Sequence, residues 1–124
     1  MKVLVLDDEE SLRTLLCDNL SFEGIDTIQA STGIEAIGLA TSQSPDLAVL
    51  DIGLPDMSGW KVCERLRKDE QTKHLPLIVL SGSVGSEIDA LAKSYGVGHW
   101  VSKPYEPSVL VELIKSVLNG RKNP

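Results

Sequence analysis

The sequence predicts an α/β domain with a doubly wound, parallel five-stranded sheet, a (βα)5 chain of successive strand–helix units. Short, continuous apolar runs alternate with longer segments in which apolar residues recur at helical spacing. The connections are short, which favours right-handed crossovers with helices on both faces of one parallel sheet. The 124 residues suit one domain, and a hydrophobic content of 42% is enough for a packed core.

The first two units follow the N-terminus directly. Residues 3–6 are continuously apolar, as in a strand buried on both faces, and residues 8–11 supply capping chemistry for the helix that follows. Residues 25–29 predict a less apolar strand nearer an edge of the sheet. Residues 31–33 open a second helix, which Pro45 terminates. The apolar positions expected on these two helices are Leu12, Leu15, Leu16, Leu20, Ile34, Ile37 and Ala40.

The third unit starts with a buried strand over residues 47–50. A loop at residues 53–56 leads into a helix from about Ser58, and the fourth strand is expected over residues 75–80. The core positions predicted for this helix are Val62, Cys63 and Leu66.

The last two helices flank a short fifth strand at residues 99–102. Gly96 is placed to end the fourth helix, and Pro107 suits the first turn of the fifth. We place the domain at residues 1–119 and interpret residues 120–124 as a polar tail or the start of a linker. The apolar residues that mark the fourth helix are Ile88, Leu91, Ala92 and Tyr95, and the residues expected on the core face of the fifth are Leu110, Leu113, Ile114, Val117 and Leu118.

Composition excludes several classes of protein. The net charge is −6 and no run of Lys or Arg occurs, so direct nucleic-acid binding by this segment is not expected. No apolar span of about 18 residues and no signal peptide are present, so we expect no membrane association and a cytoplasmic location. Cys17 and Cys63 are predicted to be reduced core residues. His74 and His99 lack metal-ligand spacing and are interpreted as ordinary.

Polar residues end four of the predicted strands. Asp7 and Asp8 follow the first strand, Asp51 the third, Ser81 the fourth and Lys103 the fifth. Parallel strands all end at one edge of their sheet, where ligands bind, so these groups should converge. Clustered carboxylates repel unless a cation such as Mg²⁺ binds them, and a metal-bound carboxylate can attack phosphorus to give an aspartyl-phosphate. Lys103 and Ser81 could then stabilise the transferred phosphoryl group.

Each residue also has an ordinary structural interpretation. Residues 7–9 could cap the first helix, and Asp51 could end a strand at a turn. Ser81 could satisfy its own backbone, and Lys103 could be a solvated lysine. Only their combination favours a site. Two further polar residues, Asp56 and Ser58, are interpreted as turn and N-cap residues rather than ligands.

Four segments together resemble the response regulator receiver family. They are residues 3–9 (VLVLDDE), residues 51–59 (DIGLPDMSG), Ser81-Gly82 and Lys103-Pro104, and the resemblance spans nearly the whole chain. It implies the flavodoxin-like strand order 2-1-3-4-5 and a role in two-component signalling, as a phosphoacceptor signalling domain rather than an enzyme. Such a domain assists its own phosphotransfer and autodephosphorylation.

The resemblance also implies site roles. Asp51 is the phosphoryl acceptor and an ion ligand, Asp8 binds Mg²⁺ directly, Asp7 binds it through water, and the backbone carbonyl of Gly53 is a further ligand. Mn²⁺ is expected to substitute for Mg²⁺.

A second group of positions corresponds to the family's switch. Ser81 takes the Ser/Thr switch position and Lys103 the lysine position. Trp100 stands where the family usually has Tyr or Phe, and Pro104 matches a proline that usually follows a cis peptide bond. We expect Ser81 to move toward the phosphoryl group and Trp100 to reorient, which biases the face formed by helix 4, strand 5 and helix 5. Gly82, where Ala is commoner, leaves extra space.

The partners implied by the resemblance are a sensor histidine kinase or phosphotransfer protein as donor. The output is an effector domain C-terminal to this segment or a separate target protein, with a phosphorylation-dependent homodimer as a further form of assembly. Two alternatives stand beside this. One is a pseudo-receiver, a protein–protein interaction module that is never phosphorylated. The other, ranked lowest, is an aspartate-nucleophile phosphatase, in which Gly53 would occupy the place of the general acid.

Overall fold

A computed structural model of the chain describes residues 1–82 and 86–122. Its five strands form one parallel sheet in the order β2-β1-β3-β4-β5, which confirms the predicted fold. The central strands β1, β3 and β4 are buried along almost their whole length, and β2 and β5 are the partly exposed edges. In chain order the elements are β1 (Lys2–Leu6), α1 (Glu10–Phe22), β2 (Asp26–Ala30), α2 (Gly33–Gln43), β3 (Leu47–Asp51), α3 (Gly59–Lys68), β4 (Leu77–Ser81), α4 (Ser86–Ser94), β5 (His99–Ser102) and α5 (Pro107–Lys122).

The core consists of two apolar layers, one on each face of the sheet. In β1, Leu4 and Leu6 belong to the layer under α2, α3 and α4, and Val3 and Val5 belong to the layer under α1 and α5. Successive side chains of a strand point to opposite faces, so a strand covered on both faces must be apolar at every position. This explains why β1, β3 and β4 have continuous rather than alternating hydrophobicity.

Three of the apolar residues that recur at helical spacing lie outside the core. Ile34 in α2, Leu15 in α1 and Leu91 in α4 are 66%, 47% and 38% exposed. On α2 the small residues Ala36 and Ala40 make the core contact. A helix buries only the stripe that faces the sheet, and apolar residues at the margin of that stripe remain in solvent.

Two boundaries differ from the prediction and a third agrees with it. β4 begins at Leu77 instead of residue 75, because Pro76 has no N–H to donate to a strand ladder. α5 continues to Lys122, so the segment predicted as a polar tail or the start of a linker is helical over residues 120–122; residues 123–124 lie outside the described ranges. Gly96 follows α4 with a φ of 67°, as its predicted position requires.

The two cysteines are free and buried, Cys17 in one apolar layer and Cys63 in the other. Burial raises the pKa of the Cys63 thiol to about 12, so it stays protonated. Both are therefore core residues, as predicted. Within the described ranges, none of the helices is long and apolar enough to cross a membrane.

Candidate functional site

The strand ends bring three carboxylates together at the carboxyl edge of the sheet. Leu6 of β1 pairs with Leu50 of β3, so the residues that follow them in sequence lie side by side. One carboxylate oxygen each from Asp7, Asp8 and Asp51 lies within 4.8 Å of the other two. The parallel topology alone produces this convergence, although 42 residues lie between Asp8 and Asp51 in the sequence.

Asp7 is the most buried of the three acids, with 1% of its surface exposed. Its Oδ1 accepts a hydrogen bond from the N–H of Glu9 at 2.9 Å, which fixes the turn just before α1, whose N-cap residue is Glu9. Its Oδ2 is buried and has no hydrogen-bond partner among residues 1–82 and 86–122. Burial raises the pKa of Asp7; the Glu9 N–H and Lys103 oppose the rise, and Asp51 and Asp8 reinforce it. A buried, unpaired acceptor of this kind is unfavourable unless a ligand completes it.

Lys103 supplies the positive charge of the site from the end of β5. Its Nζ lies 2.8 Å from Asp51 Oδ2 and 3.9 Å from Asp7 Oδ2, and its N–H donates to the carbonyl of Ser81 at 2.8 Å. Burial acts to lower the pKa of Lys103, but the hydrogen bond and charge of Asp51, with the charge of Asp7, raise it overall. The ammonium is therefore charged at neutral pH. The following peptide bond, Lys103–Pro104, is cis.

Asp51 ends β3 at the centre of the group and is 3% exposed. Its Oδ1 accepts from the N–H of Gly53 at 3.1 Å, and its Oδ2 accepts from Lys103. The start of α3 lies directly behind it, because a Cβ on Gly59 would fall 2.5 Å from the Asp51 carbonyl oxygen. Glycine at position 59 therefore lets α3 begin directly against the end of β3, next to Asp51.

Ser81 and Trp100 lie on the neighbouring strands. Ser81 is buried at the end of β4 and pairs with Ser102 in the sheet register. The half-buried Trp100 donates from its indole Nε1 to Asp89 Oδ1 at 2.5 Å, which links β5 to α4. A Cβ on Gly82 would meet nothing within 4 Å, so there is space next to Ser81.

The charge and donor type of the group fit a divalent cation. Three carboxylates face one ammonium, so the ionised group carries an excess of two negative charges. The donors of the three acids are hard carboxylate oxygens, and the Asp7 oxygen without a hydrogen bond in the described chain is one of them. Oxygen-only sites with few carboxylates suit Mg²⁺ and Mn²⁺ better than the softer metals.

Sequence reasoning missed two residues next to the site. Arg13 in α1 donates to the backbone carbonyl of Asp7 at 2.7 Å and to Gln29 Oε1 at 3.0 Å, which holds the strand end carrying Asp7. Tyr105 is half-buried, and burial together with the charges of Asp7 and Asp51 raises its pKa to about 12. The signal for Arg13 is its place in the first turn of the helix that follows Asp7.

Comparisons with known proteins agree with this geometry. The sequence profile of the response regulator receiver domain matches residues 3–115. The alkaline phosphatase synthesis transcriptional regulatory protein PhoP of Bacillus subtilis (strain 168) is 38% identical over 117 residues, which are 94% of this chain and 48% of that protein. The polar-differentiation response regulator DivK of Brucella ovis is 33% identical, with 94% of each chain covered.

A solved structure shows the same fold. The chemotaxis protein CheY4 of Vibrio cholerae superposes with a TM-score of 0.88 at 28% identity, over 94% of this chain and 97% of that one. The chain spans about half the length of the first curated relatives that it matches, which are transcriptional regulators, and nearly all of DivK.

Proposed function

The chain belongs to the response regulator receiver family, and on that basis we propose that it accepts a phosphoryl group on the carboxylate of Asp51 in a reaction that requires Mg²⁺. The observation that carries the proposal is the group of Asp7, Asp8 and Asp51 at one edge of the sheet, with Lys103 hydrogen-bonded to Asp51 at 2.8 Å. Phosphoryl acceptance is the general function of this family, and this chain retains an acidic group and a lysine suited to it.

The proposed ion ligands are carboxylate oxygens of Asp8 and Asp51 and the backbone carbonyl of Gly53, with Asp7 acting through water. When bound, the ion offsets the repulsion among the carboxylates and the negative charge of the phosphoryl oxygens. Mn²⁺ has the same preference for oxygen ligands and is expected to substitute. The unpaired oxygen of Asp7 supports this assignment, because a nearby cation or its water would complete it.

In the transfer, a carboxylate oxygen of Asp51 attacks phosphorus as the bond from phosphorus to the donor breaks, and the donor keeps the bonding electron pair. The donor is a phosphohistidine of a sensor histidine kinase or phosphotransfer protein, or a small acyl phosphate. Lys103, already placed 2.8 Å from Asp51, stabilises charge on the phosphoryl oxygens. The same groups assist later hydrolysis of the acyl phosphate, which is the autodephosphorylation expected of such a domain.

The proposed switch uses the neighbouring strands. The Ser81 hydroxyl moves toward a phosphoryl oxygen, and Trp100 reorients into the space that it leaves. For this, Trp100 must give up its hydrogen bond to Asp89, so the switch opposes a contact that ties β5 to α4. Phosphorylation shifts this balance only by stabilising one arrangement more than the other. The face of α4, β5 and α5 then acts on an effector domain, a separate target or a second copy of the chain.

The decisive experiment uses the purified chain with Mg²⁺ and acetyl phosphate, followed by intact-protein mass spectrometry. The wild-type chain gains one phosphoryl group. Asp51→Asn gains none and keeps its fold by circular dichroism, because an amide is not a phosphoryl acceptor. The matched control is Asp18→Asn, which changes an exposed acid of α1 and behaves as wild type.

Tryptophan fluorescence reports the switch in the same samples. We expect a change for wild type after phosphorylation and none for Asp51→Asn. A wild-type chain that stays unmodified would reject the proposal in favour of the pseudo-receiver. A chain that is phosphorylated without a change in fluorescence would reject only the role of Trp100.

A further inference from the structure

The loop between β3 and α3 makes a contact with α2 that could not be predicted from the sequence. In this loop (residues 52–58), the carboxylate of Asp56 reaches the N-terminus of α2: Oδ1 accepts from the N–H of Gly33 at 2.9 Å and Oδ2 from the N–H of Ile34 at 3.1 Å. A turn residue therefore caps a helix 22 and 23 residues away in sequence. The pKa of Asp56 is lowered, mainly by the Gly33 N–H, so the carboxylate is ionised near neutral pH.

The contact completes the start of α2. The first N–H groups of a helix have no partner within it. Here the side chain of the N-cap Thr32 accepts the N–H of Glu35 at 3.2 Å and its carbonyl accepts that of Ala36, whereas Asp56 accepts those of Gly33 and Ile34. A negative charge at this end is also favourable to the helix dipole.

A second residue of the loop packs at the same point. A Cβ on Gly33 would lie 2.6 Å from Met57 Cγ and 2.9 Å from Met57 Sδ, so Met57 occupies the space that a side chain at position 33 would need. Asp56 and Met57 thus form a clasp that seats the tip of the loop on the N-terminus of α2, one by hydrogen bonds and the other by close packing.

The same loop carries the proposed ion ligand Gly53. At its base, Gly53 and Ser58 form an antiparallel bridge, and the N–H of Gly59 donates to the carbonyl of Ile52 at 2.9 Å. The loop is therefore a small closed hairpin with one end at the site and its tip on α2. If the tip is released, the hairpin can tilt about its base, and the direction of the Gly53 carbonyl changes with it.

We infer that Asp56 is a positioning residue for the ion site: by holding the loop on α2, it sets the direction from which the Gly53 carbonyl reaches the ion. This inference rests on the proposed function. Asp56 touches neither the ion nor the phosphoryl group. It acts as the groups behind metal ligands generally do, and loss of such a group weakens metal binding by about tenfold or more.

The test is calorimetric titration of the full chain with Mg²⁺, for variants that differ at the clasp. Asp56→Ala removes both acceptors and is expected to raise the Kd for Mg²⁺ by about tenfold. Asp56→Asn keeps one acceptor oxygen and should give an intermediate Kd. In both variants the phosphorylation rate at saturating Mg²⁺ stays within about twofold of wild type, since the acceptor and Lys103 are untouched.

The matched control is Asp69→Ala. Asp69 is also an exposed loop aspartate that accepts a backbone hydrogen bond, from the N–H of Gln71 at 2.9 Å, but it lies at the opposite edge of the sheet. Its variant should bind Mg²⁺ as wild type does. If Asp56→Ala binds Mg²⁺ within about twofold of wild type, or if Asp69→Ala weakens binding equally, the inference is wrong.

The experiment also distinguishes a failure to fold, a failure of the proposed function and a failure of the positioning role alone. If Asp56→Ala does not fold, the Asp56→Asn titration decides, because that variant keeps part of the cap. A wild-type chain that binds no Mg²⁺ contradicts the proposed function itself. A wild-type chain that binds Mg²⁺ and is phosphorylated, with unaltered Asp56 variants, contradicts only the positioning role.

Discussion

A buried or partly buried charge lies at each end of the strands: at the carboxyl edge, where the strands end, and at the amino edge, where they begin. The two charges differ in how many hydrogen bonds they make. At the carboxyl edge, Asp7 keeps one buried oxygen without a hydrogen-bond partner in the described part of the chain. At the amino edge, the guanidinium of Arg67 donates to the backbone carbonyls of five residues. Burial shifts both pKa values toward the neutral form, raising that of Asp7 and lowering that of Arg67.

The hydrogen bonds of Arg67 have a structural role. They join the end of α3 to the loop before β4 and to the loop after α4; the acceptors are the carbonyls of Thr72, Lys73, Leu75, Tyr95 and Gly96, at 2.7 to 3.5 Å. A cleft of about 630 Å³ lies beside them, larger than the cavity of about 270 Å³ that Lys103 and Tyr105 line at the carboxyl edge. The charge of Arg67, whose hydrogen bonds are made within the protein, thus has a structural role. The candidate site is identified by the Asp7 oxygen that lacks a hydrogen bond in the described chain and not by the size of a cavity.

The largest expected effect on stability comes from Arg67→Met. It leaves several carbonyls without a donor and should lower the free energy of unfolding by about 3 kcal/mol, measured by urea denaturation at pH 7. The Kd of the folded protein for Mg²⁺ should not change, because no ion ligand is near. Arg67→Lys should recover less than half of the loss, since an ammonium cannot reproduce the planar fork of donors.

If Arg67→Met lowers the free energy of unfolding by less than about 1 kcal/mol, the hydrogen bonds of Arg67 do not have the structural role given to them here. Such a result would mean that water replaces the guanidinium at those carbonyls at little cost.

The second effect has the opposite sign. Asp7→Asn in EDTA should raise the free energy of unfolding by about 1 kcal/mol at pH 7. It removes a buried charge whose Oδ2 has no hydrogen bond in the described chain and lies 3.9 Å from Lys103 Nζ, and it keeps an oxygen for the Glu9 N–H. Mg²⁺ binding should weaken in the same variant. Asp8→Asn, which changes an exposed acid of the same edge, is the control and should alter stability less.

The pH dependence of this gain follows from the raised pKa of Asp7. Because this pKa is raised, the folded protein binds the Asp7 proton more tightly than the unfolded chain does. The resulting stabilisation is fully present below about pH 4, which is the pKa of an aspartate in the unfolded chain. That contribution is lost as pH rises through the higher folded pKa. The advantage of Asn over Asp should therefore be small below about pH 4 and grow with pH through this window. Denaturation curves at several pH values in EDTA would contradict this if the gain were constant.

The smallest effect concerns backbone freedom at the two edges. Gly53 and Gly98 are exposed, one at each edge, and a Cβ on either would meet nothing within 4 Å. Gly53→Ala and Gly98→Ala should each raise the free energy of unfolding by about 0.5 kcal/mol, because alanine restricts the unfolded chain. Equal gains would show that the edges differ in their charges and not in their backbones. A loss at position 53 alone would locate strain in the β3–α3 loop.

Much of the site was accessible from the sequence because of one topological rule. Continuous apolar runs identify central strands, and parallel central strands must end together, so Asp7, Asp8, Asp51 and Lys103 were predicted to converge. The prediction needed only the position of each residue relative to its strand, and the structure places them together. Their roles in phosphoryl transfer stay a prediction until the Asp51 experiment is done.

Partners across the fold were not accessible in this way. The sequence predicted Asp56 as a turn residue, but it caps α2, and Trp100 was expected at the switch position without its bond to Asp89. The exposure of Ile34 was likewise decided by where α2 meets the sheet. Periodicity tells which face of a helix is apolar, not which atoms stand opposite it.

The sequence by itself determined the order of elements, the buried central strands and the convergence of the acids at one edge. The alternation of strands and helices, and the residue at which each strand ends, follow from the hydrophobic pattern of each segment. Only the tertiary structure decided that Asp7 keeps an oxygen without a hydrogen bond in the described chain, that Arg67 donates to five carbonyls and that Asp56 accepts two N–H groups of α2. These depend on distances between segments far apart in the chain, which are set when the helices pack against both faces of the sheet.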